Sequence, residues 1–201
     1  MKFICVGRNY AEHAKEMHHD LPTDPVVFLK PSTALLQNNK VFHLPEFSRE
    51  MHHECELIFR ICKNGKHIAE KFAMKYVDAV SVGIDFTARD LQSAQKKKGL
   101  PWEISKAFDH SAVVGEWQPL PKDISKISFS LLKNKETVQS GNAADMIFSI
   151  PKIISYCSQY FSFKQGDILF TGTPEGVSAV GTGDVLEGFL EGERVMRCKV
   201  V

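Results

Sequence analysis

The chain has 201 residues, of which 43% are hydrophobic and 24% charged, which is ordinary for a globular protein and fits a single domain over residues 1–201. A net charge of +1 argues against the strongly basic surface expected of a protein that binds nucleic acid or an acidic membrane. No apolar run approaches the ~20 residues that a membrane span requires, so neither nucleic acid nor a membrane is expected as a partner.

The cysteines give an expectation about the compartment. There are five of them, scattered and odd in number: Cys5, Cys55, Cys62, Cys157 and Cys198. No C-x-x-C pair occurs, which argues against a disulfide framework or a zinc knuckle. The N-terminal apolar stretch ends at Gly7 and is too short for a signal peptide, and no transit segment rich in Arg and Ser is present. We therefore expect a cytoplasmic protein.

The N-terminal part of the chain predicts short strands separated by loops. Residues 3–6 predict a buried strand, and residues 10–18 a short helix. After a loop at residues 21–25, residues 26–29 predict a strand that Pro31 stops. Further strands are predicted at residues 55–62, followed by a turn at Asn64-Gly65, and at residues 77–84.

A helix is predicted next, over residues 88–98. Thr87 is the expected N-cap and Gly99 the expected C-terminal end. The run Lys96-Lys97-Lys98 fits the solvated last turn of this helix, where lysines are favoured.

The C-terminal part predicts more strands. Residues 127–133 and 136–139 predict a hairpin that turns at Asn134-Lys135, and Ser149-Ile150-Pro151 opens a helix that runs to about residue 160. Glycine-punctuated strands are predicted at residues 167–171, 184–190 and 193–200. Many short strands with few helices predict an α+β fold built on a rolled or barrel-like sheet. Neither G-x-G-x-x-G nor G-x-x-x-x-G-K-[ST] occurs, so no nucleotide cofactor is predicted.

Two glutamates in the strand at residues 55–62 are the strongest chemical signal. Apolar and polar residues alternate through Cys55-Glu56-Leu57, which is typical of a half-buried strand. Glu54 and Glu56 then point to the same face, roughly 6.6 Å apart at ~3.3 Å per residue. Two like charges on one face are costly unless a cation lies between them, and a divalent metal ion is the obvious candidate.

A third carboxylate, Asp85, lies where an apolar run ends before the predicted helix. Such junctions often hold ligands. Three carboxylates without a histidine pair suit a hard ion, Mg²⁺ or Mn²⁺, and leave coordination positions for water and substrate. The alternative is that Asp85 only caps the helix that follows.

A softer zinc site is a further alternative, with His52 and His53 joining Glu54 and Cys55. Adjacent residues of a strand face opposite sides, however, so these four side chains cannot easily converge on one ion. Surface histidines near the start of a strand are the simpler interpretation.

Two further groups are candidates for proton transfer and charge stabilisation. His13 and Glu16 share a face of the predicted N-terminal helix, where a carboxylate could orient an imidazole as a general base, although such a pair is usually a surface pair. Lys106, flanked by aromatic residues, is either a packing residue or a cation directed at developing negative charge.

Six segments occur in a characteristic order: Gly-Arg-Asn-Tyr-Ala-Glu-His (7–13), Phe-Leu-Lys-Pro-Ser-Thr-Ala (28–34), Glu-Cys-Glu (54–56), Gly-Ile-Asp-Phe-Thr-Ala-Arg-Asp-Leu-Gln (83–92), Gly-Leu-Pro-Trp (99–102) with Lys106, and Phe-Thr-Gly-Thr-Pro-Glu-Gly-Val (170–177). Taken together they resemble the fumarylacetoacetate hydrolase superfamily, and specifically its short acylpyruvase/oxaloacetate decarboxylase-like branch. The resemblance runs from Phe3 to the C-terminus.

The resemblance implies a mixed β-roll with short flanking helices, a homodimer, and Mg²⁺ or Mn²⁺ held by Glu54, Glu56 and Asp85. It further implies a lid-helix dyad of His13 and Glu16, an active-site lysine at Lys106, and substrate contacts from Gln92, Thr173 and Arg8. The loop before Val26 is brief. Because that region forms the lid, the size of the substrate does not transfer with the resemblance.

The implied reaction is metal-dependent C–C bond hydrolysis of acylpyruvates or fumarylpyruvate-type 2,4-dioxo acids, which releases pyruvate. Cleavage leaves the enolate of pyruvate, whose charge the ion and Lys106 stabilise, while His13 held by Glu16 activates water. Oxaloacetate decarboxylation needs no water and could share the site. The alternatives are an isomerase or tautomerase of 2-oxo-diacids on the same fold, and a non-catalytic metal-binding protein.

Overall fold

The computed structural model describes residues 1–12 and 21–201, and the predicted helix over residues 10–18 lies largely outside that range. Within it, sixteen strands are numbered in chain order: β1 Phe3–Gly7, β2 Val26–Lys30, β3 Leu35–Gln37, β4 Val41–Phe42, β5 Met51–His53, β6 Cys55–Ile61, β7 Val77–Asp85, β8 Thr87–Ala88, β9 Ala112–Val114, β10 Gln118–Pro119, β11 Ser128–Lys133, β12 Glu136–Asn142, β13 Ile168–Phe170, β14 Ser178–Ala179, β15 Val185–Leu190 and β16 Glu193–Val200.

Three α-helices lie entirely within these ranges: α1 Arg89–Lys98, α2 Glu103–Lys106 and α3 Ile150–Tyr160. Ala11 and Glu12 are also helical. Short 3₁₀ segments lie at Ser32–Ala34, Glu70–Tyr76, Ile124–Lys126 and Ala143–Asp145. No helix in the described ranges is long and apolar enough to cross a membrane.

Eight of the sixteen strands form one mixed sheet, in the order β2-β1-β13-β6-β7-β9-β3, with β10 beside β7. The pairs β1–β13 and β3–β9 are parallel, and the other pairs of this sheet are antiparallel. A five-stranded sheet, β12-β11-β15-β16-β4, and a small sheet, β14-β5-β8, complete the fold. The sheet curls and helices are few, so the predicted α+β β-roll is confirmed.

The centre of the main sheet is the antiparallel pair β6 and β7, which is buried on both faces. Leu57, Ile58 and Phe59 are fully buried, and Leu57 lies opposite Val82 of β7. An unbroken apolar run of this kind is typical of a strand covered on both sides. At one end of this pair the register sets Glu56 opposite Gly83 and brings Asp85 beside Glu54. Polar groups are thereby collected at the edge of a rigid apolar core.

The local sequence signals are confirmed at several turns. Gly99 ends α1 with φ +63°, in the left-handed region that favours glycine. Asn134 and Lys135 both have positive φ, as a two-residue hairpin between β11 and β12 requires. The side chain of Ser149 accepts a hydrogen bond from the backbone N–H of Lys152, and proline lies in the first turn of α3.

Two local predictions are wrong. Thr87 does not cap α1, because it belongs to strand β8 opposite His52. The helix begins two residues later, at Arg89, and its N-cap residue is Ala88, which makes no side-chain capping hydrogen bond. Asn64-Gly65 is not the turn between β6 and β7. The connection instead includes the 3₁₀ segment Glu70–Tyr76, and Gly65 bridges to Phe163.

Candidate metal centre and active site

Three buried carboxylates converge at one end of β6 and β7. Glu54 immediately precedes β6, Glu56 is its second residue and Asp85 ends β7. The backbone N–H of Asp85 donates to the carbonyl of Glu54 at 2.8 Å, which ties the two strand ends together. One oxygen of each carboxylate lies within 4.8 Å of the other two. The structure therefore brings together the trio predicted from the sequence.

Lys106 contacts two of these carboxylates. Its Nζ donates hydrogen bonds of 2.7 Å to Glu54 Oε2, Asp85 Oδ2 and the hydroxyl of Thr87. Burial alone would lower the pKa of Lys106, but the Asp85 and Glu54 carboxylates together raise it above the ordinary value. Lys106 is therefore a fixed cation at the wall of the site.

A second lysine, Lys30, approaches Asp85 from the other side. Its Nζ lies 2.6 Å from Asp85 Oδ1 and is completely buried at the end of β2. It also donates to the carbonyl and the hydroxyl of Ser111, each at 3.0 Å. Asp85 thus lies between two ammonium groups. This geometry overturns the alternative in which Asp85 only caps the following helix.

Arg89, the first residue of α1, contacts Glu54. Its Nη2 donates to Glu54 Oε1 at 2.6 Å, and its Nη1 donates to Gln92 Oε1 at the same distance. Gln92 and Arg89 are three residues apart on the helix, so they share a face. Gln92 consequently has its side chain oriented by Arg89 at the edge of the site.

Glu56 is held by the loop that follows β13. The backbone N–H of Gly172 donates to Glu56 Oε2 at 2.7 Å. Burial, together with the neighbouring Asp85 and Glu54 carboxylates, raises the pKa of Glu56 well above its ordinary value. A cation placed among the three carboxylates would relieve this repulsion.

The same loop supplies Thr173, which is buried and receives a hydrogen bond of 2.8 Å from Gln139 Nε2. Gly172 has φ +100°, and a Cβ built there would lie 2.7 Å from Asn9 Cβ. Asn9 in turn donates to the carbonyl of Thr171 and accepts from the backbone N–H of Phe148. Contacts with Asn9 therefore fix the loop and hold Thr173 and the Gly172 N–H in place.

The donor set fits a hard divalent ion. Three buried carboxylates supply oxygen ligands, which Mg²⁺ and Mn²⁺ prefer. The alternative zinc site does not fit, because His53 is turned away: its ring nitrogens lie 2.9 Å from Gln139 Oε1 and 2.8 Å from Ser178 Oγ. His53 is also fully buried, so the surface interpretation is wrong for it, and burial lowers its pKa to about 4.

The predicted site residues within the described ranges share one cavity of about 40 Å³. It is lined by Arg8, Glu54, Glu56, Asp85, Gln92, Lys106 and Thr173, together with Arg89, Lys96, Phe28, Trp102, Val6 and Gly7. His13 and Glu16, the predicted dyad, lie outside the described residues. Their role stays a prediction.

Three contacts of the site were not predicted from the sequence: Lys30 with Asp85, Arg89 with Glu54, and Thr87 with Lys106. Lys30 ends an apolar strand, and a lysine in that position is a signal of a buried ion pair. Arg89 and Gln92 have helical spacing, which could have placed Arg89 beside the predicted glutamine. Thr87 was predicted to be a helix N-cap, so its contact with Lys106 was not expected.

Comparison with known proteins identifies relatives along the whole chain. Residues 2–201 match the family described as Fumarylacetoacetate (FAA) hydrolase C-terminal. The chain is 43% identical over 199 residues to oxaloacetate tautomerase FAHD1, mitochondrial, of Rattus norvegicus, which covers 98% of this chain and 90% of that protein. It is 39% identical over 189 residues to oxaloacetate decarboxylase, mitochondrial, of Dictyostelium discoideum, which covers 92% of this chain and 87% of that protein.

One solved structure has nearly the same fold as this chain. The crystal structure of fumarylpyruvate hydrolase from Pseudomonas aeruginosa in complex with Mn²⁺ and pyruvate matches with a TM-score of 0.95 at 36% identity. The match covers 100% of this chain and 89% of that chain.

Proposed function

The chain belongs to the fumarylacetoacetate hydrolase family, and on that premise we propose that it is a divalent-metal-dependent enzyme of small 2-oxo acids whose principal reaction is the keto–enol tautomerisation of oxaloacetate. The observation that carries the proposal is the buried carboxylate trio with Lys106 fixed between two of its members at the wall of a cavity. The 43% identity to a protein named oxaloacetate tautomerase supports the choice of reaction.

In this proposal Glu54, Glu56 and Asp85 hold Mg²⁺ or Mn²⁺. When bound, the ion supplies a Lewis acid that polarises the carbonyl group of a 2-oxo acid. The Mn²⁺ and pyruvate in the relative from Pseudomonas aeruginosa support this assignment. Reconstitution of the metal-free protein with each ion separately tests which of the two it uses.

The chain's own residues then stabilise the enolate. Removal of a proton from C3 of oxaloacetate places negative charge on the C2 oxygen, and Lys106 is a fixed, protonated cation at the cavity wall. A preorganised cation in a buried site stabilises such developing charge more than it would in water. Gln92, oriented by Arg89, and Thr173, oriented by Gln139, position the acid. His13 held by Glu16 is the proposed proton carrier.

Hydrolysis of acylpyruvates or of fumarylpyruvate is the second candidate, and it was the first expectation from the sequence. It needs a water molecule and a base to activate it. Among the described residues, those that line the cavity include no histidine, so this reaction depends entirely on the predicted dyad. The relative named fumarylpyruvate hydrolase keeps it a candidate. Oxaloacetate decarboxylation, as named for the Dictyostelium discoideum relative, would proceed through the same enolate.

The test compares the reactions in one preparation. Enol oxaloacetate is followed by its ultraviolet absorbance, and pyruvate release is followed from oxaloacetate, acetylpyruvate and fumarylpyruvate. We expect the enol-to-keto conversion to be accelerated most, to be lost after chelation, and to be restored by Mg²⁺ or Mn²⁺. If the protein released pyruvate rapidly from an acylpyruvate but did not accelerate the conversion of enol oxaloacetate, hydrolysis and not tautomerisation would be its principal reaction. Activity that survives exhaustive chelation would contradict the metal site.

The assembly and the compartment are proposals of the same kind. A homodimer is implied by the family resemblance, and light scattering coupled to size-exclusion chromatography tests it. A cytoplasmic location is supported by five unpaired cysteines, four of them buried. The rat and Dictyostelium relatives carry the word mitochondrial in their names, so cell fractionation decides between the two compartments.

A further inference from the structure

Lys96 is a charged residue of the cavity with no role in the proposed reaction. Lys96 lines the cavity and is only partly exposed, whereas Lys97 and Lys98 of the same run are exposed. The sequence interpretation of a solvated helix end is therefore right for the last two lysines and wrong for Lys96. Helical spacing gives the reason, because Arg89, Gln92 and Lys96 are three and four residues apart and share the face of α1 that meets the cavity.

The residues on this face of α1 follow one another along the helix from the end that contacts Glu54. Arg89 contacts Glu54, Gln92 contacts Arg89, and Lys96 lies one further turn along the helix. Lys96 Nζ lies 5.6 Å from the centroid of the Trp102 ring, which is another wall of the cavity. Lys96 thus lines the cavity beside Trp102, one helical turn beyond Gln92.

Arg8 lies in the same wall and has two unusual features. Its backbone has φ +59°, in the left-handed region that costs a residue other than glycine about 1–2 kcal/mol. Its Nε is buried and, within residues 1–12 and 21–201, has no hydrogen-bond partner. Strain combined with an unsatisfied donor is typical of a residue held in place for a ligand.

The charges of the cavity point to an anion. Among the described lining residues, four cations (Arg8, Arg89, Lys96 and Lys106) face three carboxylates, a formal excess of one positive charge before any metal ion is added. Burial, together with Arg89 and Arg8, lowers the pKa of Lys96 to about 8. A ligand carboxylate beside Lys96 would therefore stabilise its charged form.

We propose that Lys96, beside Arg8, binds the terminal carboxylate of a 2-oxo dicarboxylic acid and so selects diacids over acids with a neutral acyl end. This rests on the proposed function, in which the 2-oxo end of the acid lies at Glu54, Glu56 and Asp85. It extends that function by assigning the residue that recognises the terminal carboxylate of the substrate.

The kinetic test uses two substrates that differ at the terminal group, oxaloacetate and acetylpyruvate. The variant Lys96→Met removes the charge and keeps the length of the side chain. We expect the ratio of kcat/KM for oxaloacetate to kcat/KM for acetylpyruvate to fall roughly 10- to 100-fold, mainly through KM, because a hydrogen bond to a charged group is lost. Lys96→Arg should recover most of the ratio. Lys97→Met, on the exposed side of the same helix, is the matched control and should leave the ratio unchanged.

A binding test separates this inference from the proposed reaction. Malate and lactate are unreactive 2-hydroxy acids that differ by the terminal carboxylate, and both are titrated by calorimetry into the Mg²⁺-loaded protein. We expect the wild type to prefer malate, and Lys96→Met to lose roughly 10- to 100-fold in affinity for malate but little for lactate. Preferential malate binding without turnover of any 2-oxo acid would end the proposed function and leave this inference standing. Equal losses for malate and lactate, or no loss, would overturn the inference.

Discussion

Replacing Lys30 with methionine is the sharpest stability test of the buried charges. The side chain of Lys30 is 0% exposed and that of Asp85 is 1% exposed, with the two charged atoms 2.6 Å apart. Methionine has nearly the length and volume of lysine without its charge. The variant therefore removes the ion pair and the two hydrogen bonds to Ser111 while leaving the packing of β2 largely intact.

The expected loss follows from these contacts. Breaking a buried ion pair by removing one partner costs about 3–5 kcal/mol, because the other charge is left uncompensated. Lys106 still contacts Asp85 through its other oxygen at 2.7 Å, which favours the lower end of that range. We therefore expect a loss of about 3 kcal/mol in the free energy of unfolding, or roughly 6–12 °C in Tm for a chain of this size.

The assay is urea denaturation in EDTA, followed by circular dichroism. Lys126→Met is the control, because Lys126 is 79% exposed and its ion pair with Asp123 spans 3.4 Å, so no measurable change is expected. Repeating the titration with Mg²⁺ should stabilise Lys30→Met more than the wild type, since the variant carries a more negative carboxylate cluster. A Lys30→Met protein that unfolds in EDTA at the same urea concentration as the wild type would refute the reasoning.

Four further outcomes are expected. Glu56→Gln should weaken Mn²⁺ binding at least tenfold, as measured by calorimetry, because one of three anionic ligands is lost. His13→Ala should reduce acylpyruvate hydrolysis far more than oxaloacetate decarboxylation, since only hydrolysis needs an activated water. Gly172→Ala should lower the free energy of unfolding by at least about 1–2 kcal/mol in urea titrations, because its Cβ would meet Asn9 at 2.7 Å and φ is +100°. Stability should fall by about 3 kcal/mol as the pH is lowered from 6.5 to about 4, since His53 is buried in its neutral form with a pKa of about 4.

Each of these has a distinct contrary result. Unchanged Mn²⁺ affinity in Glu56→Gln would remove Glu56 from the ligand set, and equal losses of both activities in His13→Ala would remove the water-activating role. An alanine at position 172 that leaves the unfolding curve unchanged would show that the loop can shift away from Asn9. For His53, the sign follows from a folded-state pKa below the unfolded value, so stability is complete above pH 6.5. A His53→Gln variant with the same acid sensitivity as the wild type would contradict the assignment.

The carboxylate trio could be predicted because it depends on local periodicity. Alternation along β6 places Glu54 and Glu56 on one face whatever the rest of the chain does. The prediction of Asp85 required only an apolar strand that ends shortly before a predicted helix. What the sequence did not contain was the register of β6 against β7, which sets Glu56 opposite Gly83 and brings the third carboxylate to the other two.

The contacts of the trio were harder to predict because they are long-range. Lys30 and Asp85 are 55 positions apart and form a direct ion pair between the ends of two different strands, with Ser111 also accepting hydrogen bonds from Lys30. Thr87 carries an N-cap signal that is locally valid, but pairing of β8 with β5 extends the chain there, and the hydroxyl binds Lys106 instead. Tertiary pairing thus overrides a capping preference worth about 1 kcal/mol.

The arrangement of charges also explains how a metal site can exist in a folded chain before the metal binds. Three carboxylates at the edge of an apolar core would repel one another strongly. Lys30 and Lys106 compensate Asp85, while Arg89 and Lys106 compensate Glu54, so the cluster of three anions and three cations is formally neutral. Under the proposed function, a divalent ion would enter an already neutral cluster and give it two positive charges, which a dianionic 2-oxo acid would neutralise. The same cations that stabilise the fold would then moderate the affinity for the proposed metal and favour a diacid as the substrate. We therefore expect chelation to abolish substrate binding without unfolding the protein.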